Sequence, residues 1–148
     1  MDVIQVDDEG LLFISPAIEH WESIAAYDID TVIDLDGGVD TCIPTSVDRY
    51  LYVYFPIADD EETLPNLIKL RAVARLGAAL VRDGHRVLSH CGLGYNRSAL
   101  MAGLILLELG MAGPEVVARL RERRPGALFN EGFAKFIQSH GTTDAVTR

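Results

Sequence analysis

The chain is short of several things, and each shortage excludes a class of protein. It has two cysteines, Cys42 and Cys91, in 148 residues. Two cannot form a disulfide framework, so packing must hold the core, and a cytoplasmic setting is expected. Positive charge is scarce: 13 lysines and arginines face 22 aspartates and glutamates, a net charge of −9. That balance argues against a broad nucleic-acid surface and against binding an anionic membrane. No basic start leads into an apolar run, so no signal peptide is read. The longest apolar run, Ala99 to Leu107, falls well short of the roughly 20 residues that span a bilayer. Repeats and low-complexity segments are missing too. His20, His85, His90 and His140 show no metal-ligand spacing, and neither a metal nor a cofactor is expected.

What is present suits one domain with a sizeable core: 148 residues, 49% of them apolar. Short apolar runs alternate with helical patterns. Leu11 to Ile14 reads as a first strand, and Ser15-Pro16 as the N-cap and first position of a short helix through Tyr27. Thr31 to Leu35 is a strand ending at the turn Asp36-Gly37-Gly38, and Tyr50 to Ile57 is another. Leu64 to Val81 carries a helical apolar stripe stopped by Asp83-Gly84. Arg86 to His90 reads as a buried strand and Ser98 to Leu109 as an apolar helix. Pro114 opens the next helix, and Asn130 caps a last one through Gln138. Alternation of this kind predicts an α/β fold with a single, mostly parallel central sheet covered by helices on both faces. Residues 1–140 are read as the catalytic domain and 141–148 as a flexible tail.

The most informative stretch is His90-Cys91-Gly92-Leu93-Gly94-Tyr95-Asn96-Arg97-Ser98, between a strand end and a helix start. A tight loop entering a helix aims backbone N–H groups at one point, and the helix dipole adds positive potential there. Such a point suits a tetrahedral anion. The same field favours a thiolate beneath it. Arg97 can hold two phosphate oxygens at once, and glycines let the backbone turn. A thiolate at Cys91 below a phosphate is placed for in-line attack, giving a cysteinyl-phosphate. Ser98 can donate to the sulfur and improve it as a leaving group. His90 is read as fixing the loop from a buried site, rather than as a base. Gly92, Leu93, Gly94, Tyr95, Asn96 and Arg97 form the phosphate-binding set.

This loop resembles the His-Cys-x-x-Gly-x-x-Arg-Ser signature of the cysteine-dependent protein tyrosine phosphatase superfamily, most closely its small dual-specificity members. The resemblance extends to Thr31-Val-Ile-Asp-Leu35, to Tyr54-Phe-Pro-Ile-Ala-Asp59 and to Arg123-Arg-Pro-Gly-Ala-Leu-Phe-Asn130 with Phe133, covering residues 10–138. It implies a phosphatase of phosphotyrosine, extending to phosphoserine and phosphothreonine, that acts on phosphorylated proteins as a monomer without a cofactor. By the family pattern Asp59 is the general acid that protonates the leaving oxygen and later activates water; Asp60 is the runner-up. Glu61 and Glu62 are read as helix-capping acids. Asn96 departs from the pattern: an Asn-Arg pair is similar to the RNA 5′-triphosphatase branch, which makes that activity the alternative. A phosphate-binding module without turnover is a further alternative. The loop carries no lysine, which disfavours phosphoinositides. Arg119, Arg121, Arg123 and Arg124 are read as a solvated helix face with one or two at the cleft rim. Cys42 is read as a bystander.

Overall fold

A computed structural model describes residues 2–140; the tail predicted for 141–148 lies outside them. Five strands form one sheet: β1 (Ile4–Gln5), β2 (Leu12–Ser15), β3 (Thr31–Asp34), β4 (Leu51–Tyr54) and β5 (Val87–His90). Their spatial order is β1-β2-β5-β3-β4, with β1 antiparallel to β2 and every other pairing parallel. The helices are α1 (Trp21–Ala26), α2 (Leu67–Arg82), α3 (Arg97–Glu108), α4 (Gly113–Arg123) and α5 (Glu131–Gln138). The predicted α/β class and mostly parallel sheet are therefore observed.

The strands alternate, and both faces are buried. Leu12, Ile14, Ile33 and Val87 point into a large core built with α2, α3, α4 and α5. Phe13, Val32 and Leu88 point the other way, onto Ile24 of α1 and Ile29, edged by Trp21, Tyr50 and Tyr52. The two layers are unequal, with one short helix on one side and four helices on the other. Helix α3 runs through the larger core. Ten of its twelve residues are buried, as expected of a helix that is apolar all round. Its burial fixes the direction of its N-terminus, and with it the loop that precedes it. Among the described residues no helix is long and apolar enough to cross a membrane.

Four local features differ from the sequence reading. Strand β1 carries too short an apolar pattern to be read from sequence; the Asp7 carboxylate, accepting from the N–H groups of Leu11 and Leu12, makes the turn that brings it back along β2. Ser15 does not cap a helix. It extends β2 opposite His90 of β5, and the helix begins later, after His20, without a side-chain cap. Parallel pairing outweighs the local capping signal. The strand expected over Tyr50 to Ile57 is regular only to Tyr54, yet Phe55 N and Ile57 N still bond to Asp34 O and Leu35 O. That extended run leads the chain to Asp59. The cap expected at α5 is present: the Asn130 side chain accepts from Phe133 N. At α2 the cap is Asn66, so the helix starts three residues beyond the predicted Leu64.

At the far end of the sheet, Asp30 ties β3 to the start of β5. Its carboxylate accepts from Thr31 Oγ1 and from His85 Nδ1, at 3.0 and 2.9 Å. The hydrogen bond and the carboxylate charge raise the His85 pKa above its ordinary 6.5. A group with a raised folded pKa contributes stability fully present below its unfolded value and lost as pH rises through the folded one. The expected outcome is a His85 titration midpoint, followed by NMR, that falls in Asp30→Asn. An unchanged midpoint would show that the pair is not formed in solution.

Candidate active site

The loop joins the carboxyl end of β5 to the N-terminus of α3, the place where ligands bind in open α/β sheets. Cys91 is buried, 2% exposed. Its Sγ lies 3.4 Å from Ser98 Oγ and accepts from Gly94 N at 3.3 Å. Ser98 is fully buried and fixed through its carbonyl, which accepts from Ser89 Oγ at 2.9 Å. Sulfur, hydroxyl and backbone N–H thus converge at one point. Gly94 has φ +77°, and a Cβ there would fall 2.7 Å from Pro16 N. Backbone cannot give way as a side chain can, so this turn requires glycine.

Arg97 opens α3 and reaches back over the loop. Its Nη1 is 3.4 Å from an Asp36 carboxylate oxygen, and points to the carbonyls of Leu35 and Ile57 at 3.4 and 3.5 Å. Asp36, by sequence only a turn residue, therefore orients the arginine. His90 is fully buried at the end of β5. Its Nε2 faces Asp40 at 2.7 Å and Asp34 at 3.5 Å. It anchors the segment after β3 rather than the backbone of its own loop. Tyr52 completes this knot by donating to Asp34 and accepting from Asp40 N. Burial, and then the bond to Asp34, push the Tyr52 phenol above its ordinary 10.0. Burial also raises Asp40 above its ordinary value, while His90 opposes that shift.

Asp59 lines the same small pocket as Cys91, Leu93, Tyr95, Asn96, Arg97 and Phe129. Its two oxygens accept from different amides: Asn96 Nδ2 at 2.9 Å and Asn130 Nδ2 at 2.7 Å. Asp60 instead accepts from Glu62 N at 2.9 Å, shaping the turn. It is Asp59, not Asp60, that the fold brings to the sulfur's pocket. Asn130 acts as the expected helix cap through Oδ1, while its Nδ2 holds Asp59.

The segment between α4 and α5 wraps the loop from outside. Leu128 N donates to Tyr95 O at 2.9 Å, and Asn130 N to Asn96 Oδ1 at 2.9 Å. Arg124 stacks 4.1 Å above the Tyr95 ring and donates to Leu93 O. The arginines expected on a solvated face are thus largely engaged. Arg119 and Arg123 pair with Asp8, Arg121 bonds to the carbonyls of Ala127 and Leu128, and Arg124 rims the cleft. Arginines one or two residues apart cannot reveal from spacing which neighbour each will meet. Phe129 and Leu93, 58% and 71% exposed, flank the mouth. Cys42 is exposed at a position with φ +59°.

No family model and no curated protein matches the chain. Solved structures do. Human DUSP28 is 20% identical with a TM-score of 0.78, over 99% of this chain and 95% of that one. A mouse putative dual specificity phosphatase complexed with zinc tungstate is 23% identical with a TM-score of 0.79, over 98% and 89%. Tk-PTP in its active form is 25% identical with a TM-score of 0.69, over 93% and 96%. The chain has the fold of the dual-specificity phosphatases.

Gly94 offers a test of the loop. In Gly94→Ala the new Cβ must displace the turn from Pro16. The expected outcome is a folded protein whose melting temperature no longer rises with vanadate or tungstate, whereas the parent's does. A variant with the parent's oxyanion response would refute the close packing of this turn against Pro16.

Proposed function

We propose that the chain is a phosphomonoester hydrolase acting on phosphorylated protein side chains through a cysteinyl-phosphate. The observation that carries this reading is the meeting, in one pocket, of Cys91, Arg97 and Asp59 from three separate segments of the chain. In the first step the Cys91 thiolate attacks phosphorus, and the phosphorus–oxygen bond to the leaving group breaks. Arg97 and the loop N–H groups hold the equatorial oxygens, where charge is concentrated. Asp59 gives its proton to the departing oxygen. In the second step Asp59 takes a proton from water, the water oxygen bonds to phosphorus, and the sulfur–phosphorus bond breaks. Ser98 donates to the departing sulfur, and inorganic phosphate leaves.

The mouth supports a protein side chain as substrate. Phe129 and Leu93 offer apolar walls suited to an aryl or alkyl group. Asp36 beside Arg97, and Asp59 within the pocket, disfavour a polyphosphate tail, and with it the triphosphatase alternative. One observation favours a second reading, a phosphate-binding module without turnover: both oxygens of Asp59 are engaged as acceptors, a pose that fits the ionised form.

Turnover of p-nitrophenyl phosphate without added metal separates the two. The expected outcome is vanadate-sensitive hydrolysis that disappears in Cys91→Ser. Asp59→Asn should lose about 100-fold in kcat on phenyl phosphate, within the range for a general acid. Phosphate binding without hydrolysis by the parent would establish the module instead.

A further inference from the structure

We infer that Asn96 is a positioning residue that sets the reach of Asp59 toward the leaving oxygen. The inference rests on the phosphatase reading and extends it to a residue that the sequence marks only as a departure from the family pattern. Asn96 is 3% exposed and ends the phosphate loop immediately before Arg97. Its carboxamide joins two segments distant in sequence. Nδ2 donates to Asp59 Oδ2 at 2.9 Å, and Oδ1 accepts from the backbone N–H of Asn130 at 2.9 Å. Asn130 closes the ring by donating to the other Asp59 oxygen at 2.7 Å.

The residue type follows from this ring. The position needs one donor and one acceptor on the same short planar group, which a carboxamide supplies. Serine is too short to reach both partners. Aspartate would accept from Asn130 but would set a second carboxylate against Asp59. The Asp59 loop is also pressed onto α5: a Cβ on Gly132 would fall 2.1 Å from Glu61 O. The acid, the phosphate loop and the start of α5 are therefore packed and bonded together, with Asn96 at their junction. The two amides orient the carboxylate as an ionised group, the form needed to accept a proton from water. For proton donation, one oxygen must leave its amide partner and turn toward the leaving group. Asn96 governs that exchange because it belongs to the loop that holds the phosphate.

The test compares phenyl phosphate, whose poor leaving group needs a proton, with dinitrophenyl phosphate, whose good one does not. The readout is the ratio of kcat/KM on the second substrate to kcat/KM on the first, which reports phosphorylation of Cys91 and leaves out the later hydrolysis that both substrates share. In Asn96→Ala this ratio is expected to rise about tenfold, since small misplacements of a catalytic group have effects of this order or larger. Asn96→Asp keeps the acceptor for Asn130 N–H and should raise the ratio as well, which covers failure of the alanine variant to fold. In Asp59→Asn,Asn96→Ala the ratio should be no higher than in Asp59→Asn. A merely structural role would lower both rates together, or add to Asp59→Asn, and either result overturns the inference. A raised ratio in Asp59→Asn without one in Asn96→Ala or Asn96→Asp refutes Asn96 alone. No turnover of either substrate by the parent refutes the phosphatase reading and the inference with it.

Discussion

The structure depends on one constraint: the turn from β5 into α3 must present Cys91 Sγ, backbone N–H groups and the Arg97 guanidinium to the same point. None of these can achieve that locally. The helix is aimed because it is buried all round in the larger core. The strand is aimed because it lies at the centre of the sheet, with β2 on one side and β3 on the other. The turn between them tolerates no side chain at Gly94, where the backbone of Ser15 and Pro16 closes in. The loop is therefore set by packing from beneath and by the α4–α5 segment from above.

Electrostatics shape the proposed site. The protein as a whole is strongly acidic, and acidic groups approach the pocket from two sides, Asp36 beside Arg97 after β3 and Asp59 after β4. Against them the loop sets the N-terminus of α3 and Arg97, with Arg124 stacked on Tyr95 at the rim. A compact dianion can occupy that positive point. A longer chain of phosphates would extend toward carboxylates. The His90–Asp40–Asp34–Tyr52 knot lies behind the loop; His90 Nε2 faces both carboxylates and Tyr52 bonds to Asp34, while His90 Nδ1 is buried without a partner, and the knot braces the segment that carries Asp36.

Much of this is legible in the sequence. The run from His90 to Ser98 has a residue pattern whose chemistry depends on local order, and local order survives in the linear chain. Elements with a long apolar period, such as α2 and α3, can be read for the same reason. Other features cannot be read, because they arise from contacts between distant segments. Asp36 looks like any aspartate before two glycines until Arg97 is folded onto it. Asn130 looks like a helix cap, and nothing in its neighbourhood shows that its second amide atom meets Asp59. Asn96 stands out as unusual, but its partners lie 37 and 34 residues away. β1 escapes a sequence reading because two residues carry no period, and Ser15 misleads because a capping signal and a strand end share the same residue type.

The central claim is that phosphate passes through the sulfur of Cys91. Rapid acid quench of the protein during turnover of p-nitrophenyl phosphate, followed by mass spectrometry of its peptides, tests this most directly. The account requires one phosphoryl group on the peptide containing Cys91, formed within a single turnover and absent from Cys91→Ser. Hydrolysis that proceeds at full rate in Cys91→Ser, or a phosphoryl group found on another residue, would contradict it.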